Sequence, residues 1–206
     1  MIIMYRILRN CYYFMIYPFR KIGVIIKQFL NFLLPNLLFI LSKRVNYKNR
    51  IHCNQKTLLT GAGHIYLGEN CVFGYKLGGF YRGGSIELQA RYKNAVIKIG
   101  DGVATNNNVF ICAANHIEIG SDSLIGQNVI IMDFEAHGIN PKRRRKIGKI
   151  GKVILGKNIW IGNNVTILKN SNVGDNSIVA AGAVVNGIFP SNVIIGGVPA
   201  KVIREL

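Results

Sequence analysis

Aliphatic side chains recur every six residues through the C-terminal half of the chain: Leu155, Ile161, Ile167, Val173, Val179 and Val185. Gly156, Gly162 and Gly174 follow three of them, with Leu168 and Ala180 at the equivalent places. Three residues after successive aliphatics come Asn158, Asn164, Asn170, Asn176 and then Gly182. A period of six fits neither an α-helix nor a simple strand. It marks a solenoid, in which each repeat is one short supersecondary unit. Asn and Gly tolerate left-handed backbone angles, so at this spacing they predict corners. The aliphatics between corners then point inward and stack from coil to coil. Three such faces make a coil of about eighteen residues, which predicts an all-β fold, a left-handed parallel β-helix. A β-sandwich would need turn clusters every 8–12 residues, and a strict six does not supply them.

The repeat extends upstream. Ile119-Gly120 and Ile125-Gly126 lead to Ile131, with Asp122 and Asn128 at the corners. Ile99-Gly100 with Gly102, and Thr105 with Asn108, keep the phase. The spacing from Ile99 to Ile119 is twenty, so that coil carries two extra residues. Leu67-Gly68 with Asn70, then Phe73-Gly74, mark an earlier coil. The β-helix is thus expected over residues 57–200, with a tail at 201–206. Two interruptions stand out: 75–95, rich in Gly and aromatics (GGFYRGGS), and 136–152, rich in Arg and Lys. Insertions in a solenoid map to loops on a face, where binding is often carried.

Residues 1–50 break the pattern. They are apolar, aromatic and basic: residues 1–68 hold ten Lys or Arg, and Glu69 is the first carboxylate. The whole chain carries a net charge of +17. A cleaved signal peptide is not expected, because no small-residue cleavage site follows the apolar stretch. A spanning helix fits poorly, because Lys27, Gln28, Asn31, Pro35 and Asn36 interrupt Ile22–Leu41. A helical segment lying on an anionic membrane surface fits better. A helical subdomain packed on the β-helix or on a neighbouring subunit stays open beside it. The basic run Lys142-Arg143-Arg144-Arg145-Lys146 would suit phosphates, but no nucleic-acid-binding signature accompanies it, so nucleic acid is not an expected partner. Cys11, Cys53, Cys71 and Cys112 show no C-x-x-C spacing. They are expected as reduced core thiols in a cytoplasmic setting, with Cys53 and Cys71, eighteen apart, stacked on adjacent coils.

Chemistry must come from residues that break the repeat. His52, His64, His116 and His137 are the histidines, and His137 opens the second interruption. Asp133 and Glu135 precede it by four and two residues. On an extended segment residues two apart share a face, so the three are expected to project together. A carboxylate there would fix the imidazole as a general base; the spacing leaves open which acid does so. In the first interruption, Tyr81 and Arg82 offer an aromatic face and a cation suited to a saccharide.

The strings NIWIGNNVTI and VGDNSIVAAGAVV, with the ending GGVPAKVIREL, resemble the hexapeptide-repeat acyltransferases over about the last hundred residues. The similarity is to the branch of sugar O-acetyltransferases that includes the galactoside and maltose enzymes. That resemblance implies an acetyl-CoA-dependent homotrimer with active sites between subunits, direct transfer to a saccharide hydroxyl, and no metal. Residue by residue it implies His137 as catalytic base and Asn106 at the acceptor. It also implies Trp160, Asn163 and Ala181 along the pantetheine arm, and Lys201 and Arg204 near the CoA phosphates. The chain departs from the family at Asn186 and Gly187, where a Thr-Lys pair often stands, and in Glu135 as the second acid before the His. The basic loop after His137 points to an anionic or larger acceptor, such as a capsule or O-antigen glycan or its lipid-linked precursor. Membrane proximity of residues 1–50 together with a sugar acceptor suggests a lipid-linked glycan or growing polysaccharide on the inner face of the cytoplasmic membrane. N-acetylation of a nucleotide-linked amino sugar or an antibiotic is the alternative. The β-helix lyases need several His converging on zinc; His64, His116 and His137 lack that spacing.

Overall fold

The computed structural model describes residues 22–47 and 51–206. Three parallel sheets wind into a left-handed β-helix, and the chain visits them in strict rotation. Among the described residues the first face has seven strands, from Val45–Tyr47 to Ile188–Phe189. The second has eight, from His52–Cys53 to Ala200–Glu205, and the third six, from Thr57–Gly61 to Val184–Val185. Register keeps each aliphatic over its equivalent: Ile125 pairs with Ile161, and Ile161 with Val179. Ile97, Ile111, Ile131, Ile161, Val179 and Val185 have no solvent exposure at all. Because each coil covers the aliphatics of the next, the core is one continuous column.

The corners lie where the sequence placed them. Asn70, Asn108, Asp122, Asn128, Asn158, Asn164, Asn170 and Asn176 all have φ between 54° and 65°, and Gly102 and Gly182 share the left-handed region. Their side chains do a second job. Asn158 donates to Asn176 at 3.0 Å and Asn176 to Asn192 at 3.2 Å, forming a ladder up one edge. Asn108, Asn128 and Asn164 form another. Asn176→Ala should therefore cost about 1–2 kcal/mol from the left-handed angle alone. Asn176→Gly, which keeps the angle and loses only the ladder, should cost less; chemical denaturation of both variants checks the order.

Several boundaries differ from expectation. The β-helix starts at Val45 rather than at 57. The interruption 75–95 is two pieces, because Ile86–Ala90 is a strand of the third face with Ile86, Leu88 and Ala90 wholly buried. Cys53 stacks on Phe73, not on Cys71, because that coil is twenty residues long. Cys53, Cys71 and Cys112 are free and buried, and burial pushes their thiols up to about 12, 11 and 11. The tail is the strand Ala200–Glu205, antiparallel to Val193–Gly197.

Residues 22–41 form helical turns, including Phe29–Leu33 and Leu37–Leu41, laid on the first coil. Phe32 and Phe39 are buried there, with the Phe32 ring edge-on to Tyr47 at 5.6 Å. No helix among the described residues is long and apolar enough to cross a membrane. The expectations for 1–21 and 48–50, Cys11 included, lie outside the described residues.

Candidate functional site

The corner between the second and third faces carries an open groove of about 320 Å³. Its lining brings together Asn106 with Trp160 and Asn163, two coils up, across the Leu124–Gly126 coil that lies between them. The backbone of this corner stacks tightly. Asn106 N–H donates to Ile125 O, Gly126 N–H to Ile161 O and Gly162 N–H to Val179 O, at 2.7 to 2.8 Å. The glycines are required by that closeness: a Cβ at Gly126 would stand 2.6 Å from the Gly162 carbonyl carbon, and one at Gly162 would stand 2.6 Å from the Ala181 nitrogen.

Trp160 sits between Leu124 and Ile178 on the second face, pointing outward and 56% exposed. With Leu124, also exposed, it gives the groove an apolar floor on which an extended apolar arm could lie. The Asn163 side chain accepts from Gln127 N–H at 2.9 Å, so its carboxamide braces the corner. Asn163 O in turn accepts from Gly182 N–H, which carries the column up to Ala181. Beyond it the last strand presents Lys201 opposite Gly196 and Arg204 opposite Ile194, both exposed. Trp160, Asn163, Ala181 and the two cations thus lie in sequence along one side of the helix.

Residues 74–85 fold over the lower end of this corner. Buried Asn107 fixes them, accepting from Tyr75 N–H and donating to Tyr75 O and Gly79 O, and buried Gln55 donates to Phe80 O. Asn106 accepts from Asn107 N–H at 2.8 Å. Tyr81 and Arg82 line a separate, adjacent groove against residues 22–31, and Asn54 lines both. Sequence reasoning missed Asn54, Gln55 and Asn107; none sits on the six-residue aliphatic phase, and their roles depend on how the insertion folds back.

His137 lies elsewhere, between the third and first faces. Residues 133–151 leave the strand Ile130–Met132 and return to Lys152–Leu155. They form an arm of two antiparallel segments. Phe134 bridges Ile150, Glu135 N–H donates to Lys149 O, Gly148 N–H donates to Glu135 O, and Gly138 N–H donates to Lys146 O. A short turn at Pro141–Arg143 tips the arm.

The expected triad does not form within the chain. Asp133 is fully buried, and its carboxylate accepts from the backbone N–H groups of Ala114, Asn115 and His116 at 2.6, 2.9 and 2.6 Å. It holds the corner below and does not reach His137. Glu135 accepts from Lys149 N–H at 3.0 Å and pairs with Lys169 at 3.1 Å. The Lys149 amide, and then the Lys169 ammonium, hold its carboxyl below the usual glutamate range. That contribution to the arm is complete above the ordinary range and is lost only as pH falls through the lowered value. The His137 Nδ1 instead lies 3.0 Å from Arg144 O. A carbonyl only accepts, so in the neutral imidazole the proton sits on Nδ1 and the lone pair on Nε2. A backbone carbonyl does here what a carboxylate was expected to do. His116 pairs with Glu118 at 3.1 Å, on the first face.

Residues 152–187 match the family described as bacterial transferase hexapeptide, six repeats. The chain is 32% identical over 178 residues to the Escherichia coli (strain K12) protein named for lipopolysaccharide biosynthesis O-acetyl transfer, WbbJ. That match covers 81% of this chain and 84% of WbbJ. It is 35% identical to the galactoside O-acetyltransferase of the same strain, over 53% of this chain and 54% of that protein. Among solved structures, the polysialic-acid-specific acetyltransferase NeuO shares the fold with a TM-score of 0.61 and 22% identity, over 78% of this chain and 66% of NeuO.

Proposed function

This chain belongs to the hexapeptide-repeat family of bacterial transferases, and we propose that within it the protein is an acetyl-CoA-dependent O-acetyltransferase acting on a glycan hydroxyl. The observation that carries the proposal is the groove in which Asn106, Trp160 and Asn163 converge, with Lys201 and Arg204 on the last strand of the same sheet. An apolar floor with two cations further along the same face suits a thioester-bearing arm that ends in phosphates. WbbJ is named for O-acetyl transfer in lipopolysaccharide biosynthesis, which supports a glycan acceptor here.

His137 Nε2 removes the proton from the acceptor hydroxyl. The oxygen attacks the thioester carbonyl, the C–S bond breaks, and the imidazolium returns the proton to the CoA sulfur. Backbone N–H groups at the corner offer donors to the developing oxyanion. Within one chain, His137 and the groove stand at different edges of the prism. A second copy must bring its arm to the first copy's groove, and a closed ring of three would complete three equivalent sites. The lipid-linked or growing glycan that such an enzyme would modify places it at the cytoplasmic face of the membrane.

The test is acetyl-CoA consumption with free sugars, nucleotide sugars, an aminoglycoside and lipid-linked or polymeric glycan. Transfer to a glycan hydroxyl supports the proposal; transfer only to amines would replace it with N-acetylation. Trp160→Ala should raise the KM for acetyl-CoA roughly tenfold with a smaller change in kcat, because a contact made equally in ground and transition states is lost. Steady-state kinetics at saturating acceptor check this.

A further inference from the structure

A helix laid on a protein surface ordinarily turns its apolar stripe inward. In residues 22–41 the polar side chains point in. Gln28 donates to Ile51 O and accepts from Cys53 N–H, and Asn31 donates to Cys53 O and Asn54 O. Asn36, fully buried, donates to Thr57 O and accepts from Leu59 N–H at 2.6 Å. These three amides, with Phe32 and Phe39, cap the backbone groups that the first coil would otherwise leave open. The polar residues that argued against a spanning segment therefore have a structural use.

The apolar residues face out. Val24, Ile25, Leu30, Leu34, Leu38 and Leu41 are all more than half exposed, with Leu38 at 82% and Leu41 at 68%. They run from one end of the segment to the other, and Val24, Ile25 and Ile26 are exposed in succession, so the segment offers an exposed apolar surface of the kind that marks an interaction site. Lys27, the one charged residue in 22–42, is turned aside, its Nζ 2.6 Å from the Tyr81 hydroxyl and 5.1 Å from that ring's centre. Lys27, Lys56 and Arg82 line the groove where the helical turns meet residues 74–85. No carboxylate precedes Glu69.

We infer that the outward face of residues 22–41 docks on an anionic lipid bilayer, lying in its interface rather than crossing it. An apolar face edged with cations and free of acids has the chemistry of interfacial helices, which combine buried apolar area with attraction to anionic lipid. The same face of a second copy fits less well, since it offers these cations no carboxylate of its own before Glu69. Asn54 lines both the groove beside this face and the groove holding Asn106 and Trp160, so docking sets the acceptor site close to the lipid surface. The inference deepens the membrane-face reading above, and its test reads lipid binding rather than acetyl transfer, so either can fail alone.

The full chain would be sedimented with vesicles of phosphatidylethanolamine containing one part in four phosphatidylglycerol, and with phosphatidylcholine alone. Binding to the anionic vesicles is expected, with weak binding to the neutral ones. The double variant Ile25→Glu with Leu38→Glu should lose on the order of tenfold or more of that binding. Both positions are exposed, so its thermal unfolding and its oligomeric mass should match the parent. A parent that stays in the supernatant overturns the inference, as does a variant that sediments like the parent. Lost vesicle binding together with a changed mass by analytical ultracentrifugation also overturns it, and assigns the face to contacts between copies.

Discussion

Replacing His137 with alanine is expected to lower turnover on the order of 10²–10⁴-fold, the usual contribution of a general base. Acetyl-CoA affinity and unfolding temperature should stay near the parent's. The imidazole is exposed, its Nδ1 is bound to Arg144 O, and it does not line the groove that holds Trp160 and Asn163. Removing it therefore takes away neither core packing nor the proposed cofactor contacts. Because the arm rests on Glu135, Lys149, Lys169 and the Phe134 bridge, its path should survive the substitution. Calorimetric titration with CoA and steady-state kinetics separate the effects. Equal loss of CoA binding and turnover would make His137 a ligand contact rather than a base. His137→Gln keeps a donor toward Arg144 O but lacks a basic nitrogen, so it should be as inactive as the alanine variant.

The architecture was legible because one residue type was forced by one backbone angle. Asn at the third place after each aliphatic is the cheapest side chain for a left-handed corner, and the same spacing seats the aliphatics inside. Where an insertion shifts the phase, that logic lapses. GGFYRGGS hides the strand Ile86–Ala90, whose buried Ile86, Leu88 and Ala90 alternate as any strand does. Cys53 lies over Phe73 because its coil is two residues longer than the repeat. The groove residues Asn106, Trp160 and Asn163 were found through resemblance, and the structure adds that they share one groove. Asp133, Glu135 and His137 were read as one face because residues two apart align on an extended strand. The chain bends at Asp133 and again at Ala136 and His137, so the alternation does not apply. The inward amides of residues 22–41 were visible only as interruptions, since their partners lie on Ile51–Leu59 and no periodicity records them.

Asp133→Ala should be the most destabilising single change in the arm and should act through folding rather than chemistry. Three backbone donors at the Ala114–His116 corner converge on this one buried carboxylate. Removing it leaves the buried Ala114 N–H and the half-buried Asn115 and His116 N–H groups without this acceptor. At about 1–3 kcal/mol for each unsatisfied donor, partly relieved by relaxation, the loss is on the order of 3–5 kcal/mol. For a chain of this length that corresponds to a fall of roughly 10 °C in unfolding temperature. Asp133→Asn keeps one acceptor oxygen and places an amide against the other donors, so it should fall between parent and alanine. Both variants, assayed well below their unfolding temperatures and normalised to folded protein, should keep kcat within about tenfold of the parent, in contrast to the His137 variants. The reverse pattern, an intact fold with turnover lost to the same extent as in His137→Ala, would return Asp133 to the catalytic group and imply that the arm rearranges when a second copy meets it.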